Sequence, residues 1–242
     1  MIPLRMNNYD YSPCLLSPQM SKHLTRTTLG FHCEADTMDK CFPNAMFLRL
    51  PSLSPKITVV DYANQAFGKP TPFPLYVDDE NTPATDAYIV RNGQVEQALT
   101  NKHFAAKLKL PLTGNARIPR PGAKPEIYMR NVAFLPGNDH FADMLDMVDN
   151  GYYLVSGTEP GGDYTGEFAV MITEGYRVLG GAICEQLPRG YVVWGCGVKY
   201  LTGISMVGDD FEWFIDTFPD RPLAPQAFGA PSVLSRAMVE KL

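Results

Sequence analysis

Apolar and polar residues alternate over short stretches along most of the chain, and glycine, proline or asparagine closes each stretch. That rhythm predicts short strands joined by tight turns rather than long helices. The β-branched run Ile57-Thr58-Val59-Val60 opens the signal, and a proline-rich loop over 69–74 separates it from Leu75-Tyr76-Val77. Residues 87–99 read as a hairpin, because Asn92-Gly93 supplies the two positive-φ positions of a type I′ turn. A second hairpin is expected over 175–187, turning at Gly180-Gly181. The two share a Tyr, Val, Gly pattern (Tyr88, Val90, Gly93 against Tyr176, Val178, Gly181), which local turn chemistry explains without an internal duplication.

Helical spacing is rarer. Phe104, Ala105 and Leu108 predict a short helix over 101–110, ended by Pro111. Phe141, Met144, Leu145 and Val148 predict another over 139–149, with Asn138 as N-cap and Asn150-Gly151 as its left-handed stop. Asp209 and Glu212, in capping-box spacing, predict a last helix over 210–217. Another strand is expected over 126–135 and a β region over 152–207. Residues 119–125 are irregular by their prolines, and residues 1–26, punctuated by Pro3, Pro13 and Pro18, read as loop or a poorly ordered lead-in.

Composition sharpens this reading. Hydrophobic residues make up 45% of the 242 and charged ones 19%, so the chain has a core to bury and is not disordered as a whole. The 21 Pro and 20 Gly keep helices short. A formal charge of -5 lacks the basic excess of a nucleic-acid binder, so no direct nucleic-acid partner is expected. No apolar run approaches a membrane helix and no secretion signal opens the chain, so a soluble, cytoplasmic protein with reduced thiols is expected.

Motifs for chemistry are mostly missing. There is no phosphate loop, and Gly195-Cys196-Gly197 lacks the third glycine of a dinucleotide fingerprint and a following helix pattern. Ser205 misses the nucleophile-elbow spacing by one residue. Cys196 reads as inert thiol before nucleophile, and the groups Asp78-Asp79-Glu80 and Asp209-Asp210 read as turn and cap chemistry before cation sites. Of His23, His32, His103 and His140, only His32 has acidic company, in His32-Cys33-Glu34-Ala35-Asp36.

Three ordered stretches nevertheless carry a resemblance. The first holds Thr58-Val59-Val60-Asp61, Val77-Asp78-Asp79-Glu80-Asn81-Thr82-Pro83, Ile89-Val90-Arg91-Asn92-Gly93 and Thr113-Gly114-Asn115-Ala116-Arg117. The second runs from Asn131 through Leu135-Pro136-Gly137 to Gly151-Tyr152-Tyr153-Leu154-Val155. The third holds Thr165-Gly166-Glu167-Phe168, Glu174-Gly175-Tyr176 and Ile204-Ser205-Met206-Val207-Gly208-Asp209-Asp210. Over about 180 residues the chain resembles the C-terminal half of the TldD/PmbA family, the modulators of DNA gyrase.

The resemblance implies an α+β fold, an extended, mostly antiparallel sheet or partial barrel with a few short helices. It implies a relative of metallopeptidases that trim and mature peptides in bacteria and archaea. Active members are similar in carrying H-E-x-x-x-H just before the strand at 58–61. Here Thr27 and Thr28 stand where the first His and the Glu would be, and His32 and Glu34 are left as candidate metal ligands. No His-Glu pair occurs anywhere in the chain, and no cysteine follows Cys196. The ending Gly229-Ala230-Pro231-Ser232-Val233-Leu234 looks like the PmbA/TldE branch, the metal-free partner of a heterodimeric protease.

Residues 1–50 are accordingly expected to be a degenerate lead-in where the zinc-motif region would lie, and 51–242 a β-rich domain like the family's C-terminal one. The family's N-terminal domain is expected to be absent from this chain. The reading favoured is a non-catalytic TldE-like partner or peptide-binding domain, with no cofactor, in a homo- or hetero-oligomer with a TldD-like subunit. Its competitor is a divergent metallopeptidase that binds zinc through His32, Glu34 and a residue from elsewhere or from a partner chain.

Overall fold

The computed structural model describes residues 11–41, 52–158 and 167–242. The Thr165-Gly166 pair of the third motif lies outside them. Strands β1 (Ser12–Leu16), β2 (Val59–Tyr62), β3 (Gln65–Ala66), β4 (Lys69–Pro70), β5 (Ala87–Arg91), β6 (Gln94–Val95), β7 (Ala116–Arg117), β8 (Glu126–Ile127) and β9 (Asn131–Phe134) come first. They are followed by β10 (Asn150–Thr158), β11 (Glu167–Leu179), β12 (Ala182–Gln186), β13 (Tyr191–Cys196), β14 (Met206–Val207), β15 (Glu212–Asp216), β16 (Gln226–Ala230) and β17 (Val233–Lys241). The α-helices are α1 (Pro18–Leu24), α2 (Ala35–Cys41), α3 (Lys102–Leu108), α4 (Phe141–Asp146) and α5 (Gly197–Thr202).

Five strands close a barrel-like ring in the order β1, β10, β11, β13, β17 and back to β1. β1 lies parallel to β10, and every other contact in the ring is antiparallel. β12 hangs on β11 and β14 on β17. Beside the ring stands a six-stranded sheet, β15-β16-β9-β2-β5-β6, antiparallel except for the β16–β9 pair. Both β assemblies contribute to one buried cluster that includes Leu16, Val59, Ile89, Leu154, Val193 and Phe228. The expected β-rich architecture of sheet, partial barrel and short helices is therefore found.

Both hairpins form at the expected glycines. Asn92 (φ 48°) and Gly93 (φ 78°) turn β5 into β6, and Gly180 (φ 57°) and Gly181 (φ 72°) turn β11 into β12. A Cβ on Gly93 would sit 2.6 Å from the Leu53 carbonyl oxygen and 2.7 Å from that of Ser54. Gly93→Ala therefore combines left-handed strain with a backbone clash, and an unfolding titration is expected to show a loss of about 2–3 kcal/mol. Gly180→Ala, whose Cβ would meet nothing within 4 Å, carries only the strain and serves as the control.

Several local expectations are corrected. The described part of the lead-in is not loop: β1 is a ring strand whose Cys14, Leu15 and Leu16 are fully buried, so both its faces are covered and no alternation shows in the sequence. Pro18 is no breaker but opens α1, with the Ser17 hydroxyl accepting from the Met20 N–H at 3.2 Å. Residues 210–217 hold the strand β15 (Glu212–Asp216), not a helix. Asp210, read as part of a helix start, instead accepts from the Ser232 N–H at 2.7 Å and its hydroxyl at 2.5 Å. α4 starts later than expected, with His140 at its N-cap position in place of Asn138, and the left-handed residue after it is Asp149 (φ 51°). Leu75-Tyr76-Val77 contributes only an isolated bridge from Val77 to Pro83. Finally, Cys196-Gly197 does lead into a helix, the six-residue α5, whose Tyr200 and Leu201 fill the core.

Candidate functional site

The stretch that the resemblance aligns with a metal motif is continuous helical backbone of changing pitch. α1 runs into a π-helical segment, Thr25–Gly30, then a 3₁₀ turn, Phe31–Cys33, and α2. π segments are rare; this one holds Thr27 and Thr28, while His32 lies in the 3₁₀ turn after it. Three of the six residues of the segment are threonines: Thr25 donates to the Ser21 carbonyl at 3.1 Å and Thr27 to that of His23 at 2.7 Å. Such back-bonding keeps these hydroxyls on their own helix.

His32 and Glu34 are both buried, at 3% and 4% exposure. Glu34 bridges to Leu99 across the chain, and its Oε1 accepts from the Met129 N–H at 3.1 Å. Burial, reinforced by the Asp36 carboxylate, pushes the Glu34 carboxyl up to about 8, against the smaller pull of the Met129 N–H and the Arg221 guanidinium. At neutral pH it is mostly a neutral acid, which is a poor metal donor. Among the described residues no group of three or more His, Cys, Asp and Glu side chains is placed to hold a metal ion. A catalytic zinc takes three protein ligands, so the donors of these residues alone do not fit one.

The resemblance motifs meet elsewhere, around a fully buried ion pair. Arg130 Nε donates to Asp61 Oδ2 at 3.0 Å, with both side chains at 0% exposure. Asp61 Oδ1 also accepts the Arg130 and Asn131 N–H groups at 3.1 and 2.9 Å, and Oδ2 accepts the Asn115 amide at 2.6 Å. The guanidinium spends its remaining hydrogens on the carbonyls of Thr113, Gly114, Thr85 and Asp61. Asp61 thus ties Asn115, just before β7, and the Asn131 N–H of β9 to β2, while the Asn131 side chain holds Tyr62 and Phe73 and Asn115 Oδ1 has no partner among the described residues. Asp78, also buried, works the same way: its Oδ1 accepts from the Glu80 and Thr82 N–H groups and its Oδ2 from that of Ala116, which is turn chemistry as expected. The residues 229–234 carry the chain from β16 into β17, and Asp210 and the Gly208 N–H hold Ser232 at the crossing.

Neither Arg130 nor Asp61 was singled out from sequence as a buried pair. A signal existed: Arg130 interrupts the otherwise uncharged run from Ile127 to Phe134, and Asp61 ends an apolar one. A charge inside such a run is buried only when paired. Arg221, close to Glu34, was likewise missed, since it sits in the proline-rich loop after β15.

The fold is a closed five-stranded ring beside an open mixed sheet, with motif residues tied into a buried polar network. Residues 10–240 match the family model for the PmbA/TldA metallopeptidase C-terminal domain, and the chain belongs to that family. A zinc metalloprotease TldD homolog of Saccharolobus solfataricus is 30% identical over 200 residues, covering 82% of this chain and 44% of that protein. A metalloprotease TldD homolog of Buchnera aphidicola is 30% identical over 139 residues, 57% of this chain and 29% of that one. Among solved structures, TldE from Thermococcus kodakarensis superposes with a TM-score of 0.76 at 16% identity, over 96% of this chain and 50% of that one. A Thermotoga maritima protein described as a modulator of a DNA gyrase gives 0.74 at 24% identity, over 98% and 51%. At these identities the superpositions speak for the fold. The chain spans about half or less of the length of these relatives.

Proposed function

We propose that this chain is a non-catalytic, TldE-like member of the family that binds peptides in the cytoplasm as the partner of a TldD-like metallopeptidase subunit. One observation carries the reading: Thr27 and Thr28 occupy the π-helical stretch where the resemblance places the His and Glu of active members, and no His-Glu pair exists in the chain. Without a fixed Lewis acid and an adjacent general base, no water is activated to attack an amide. What remains is a scaffold with free sheet edges, such as β12 and β15, which an extended peptide can join through main-chain hydrogen bonds.

The test is a peptidase assay on the chain alone, on a TldD-like subunit alone and on their mixture, each with and without chelator. Hydrolysis is expected in the mixture only or enhanced there, with none from the chain alone. Chelator-sensitive hydrolysis by the chain alone, lost in His32→Ala, would establish the divergent-peptidase alternative instead.

A further inference from the structure

The segment that follows β15 gathers two guanidiniums around one aromatic ring. The Cζ atoms of Arg26, on the π segment, and of Arg221 each lie 4.7 Å from the Phe218 ring centroid, so they are at most about 9.4 Å apart. Arg221 also covers Tyr128 at 4.8 Å, and Arg26 reaches Phe228 at 6.0 Å. The Arg221 side chain is 14% exposed, and its buried Nε–H has no hydrogen-bond partner among the described residues. The nearest carboxylate oxygen on that nitrogen, from Asp220, stands at 3.7 Å, beyond hydrogen-bond range, on a side chain that is 68% exposed. A buried guanidinium hydrogen left unpaired is costly, and such a fork matches a carboxylate.

We infer that Arg221 and Arg26, with Phe218 between them, form a recognition site for the C-terminal carboxylate of a bound peptide. This rests on the peptide-binding reading above and adds its polarity. β15 is the outer strand of the six-stranded sheet, and the chain leaves its C-terminal end directly into Phe218 and Arg221. A peptide added parallel to β15 therefore ends at the guanidiniums. Asp216, the last residue of the strand, is already paired with Lys22 at 2.9 Å, which limits its repulsion of an arriving carboxylate. Acidic neighbours, Asp220 beside Arg221 and Glu126 on the Tyr128 hydroxyl, favour a monoanion over a phosphate dianion. The Phe218, Phe228 and Tyr128 rings supply apolar flanks for the terminal side chain.

The experiment compares binding of an N-terminally dansylated hexapeptide of alanine, leucine and phenylalanine as its free acid, as its C-terminal amide, and as an amide carrying one internal glutamate. The free acid is expected to bind about ten- to a hundredfold more tightly than the plain amide, the range a charge-assisted pair supplies. The internal glutamate is expected to recover little of it. Arg221→Met should collapse the ratio towards one with an unchanged far-ultraviolet spectrum, and Arg26→Met should reduce it. Equal binding of acid and amide, or a ratio unchanged in Arg221→Met, would overturn the carboxylate site and leave the peptide-binding reading standing. Equal gain from the internal glutamate would overturn the terminal assignment, and no binding of any peptide would overturn both.

Discussion

Replacing Arg130 by methionine is expected to cost about 3–5 kcal/mol of stability, since it strands the Asp61 carboxylate at 0% exposure. The loss should exceed that of an ordinary core truncation of similar size, because one side chain serves Asp61 and the carbonyls of Thr85, Thr113 and Gly114 together. Asp61→Asn should also destabilise: a neutral amide has one acceptor oxygen where the carboxylate oxygens receive four hydrogen bonds. Urea unfolding of both single variants and the double variant closes a double-mutant cycle. A coupling energy of at least about 2 kcal/mol is expected, with the double variant less damaged than the sum of the two. A single-variant loss under about 1 kcal/mol would mean that the pair is not the joint that holds the motif loops.

The second large effect is a dependence of stability on pH from Glu34. Its carboxyl is pushed from 4.5 up to about 8 in the folded protein, chiefly by burial and then by the Asp36 charge. Between those values the folded state holds a proton that the unfolded chain has released, so stability falls as pH rises through this window and levels off above it. A shift of this size corresponds to roughly 5 kcal/mol at most. Glu34→Gln keeps an acceptor for the Met129 N–H and removes the titration. It is expected to match the parent near pH 4, to exceed it by several kcal/mol near pH 8.5, and to flatten the slope between. Thermal unfolding across that range reads the difference, and parallel curves for parent and variant would rule Glu34 out as the source.

What could be read before the fold was known followed from local rules. Gly93, Gly180 and Gly181 announced their turns because positive φ closes those hairpins, and the apolar spacing of Phe104, Ala105 and Leu108 announced α3. Elements whose faces are both covered were illegible. β1 is a run of buried apolar residues that pairs with β10 and β17, far along the chain, and nothing near it in sequence reports those partners. β15 was mistaken for a helix because capping-box spacing is satisfied by any acid pair three residues apart, whereas Phe211 and Trp213 meet edge-on at 5.2 Å from alternate positions of an extended backbone. In the candidate site, the missing His-Glu pair was visible in sequence. The burial of His32 and Glu34, the Asp61–Arg130 pair and the convergence of Arg26 and Arg221 on Phe218 were not, because each depends on contacts between distant segments.

The central proposal is that the donors among the described residues do not form a zinc site, and the metal content of the purified, dialysed protein after exposure to excess zinc tests it most directly. Less than about a tenth of an equivalent, the same in His32→Ala and Glu34→Gln, is the result expected from a neutral buried Glu34 and threonines at 27 and 28. One tightly held equivalent that disappears with His32→Ala would contradict it.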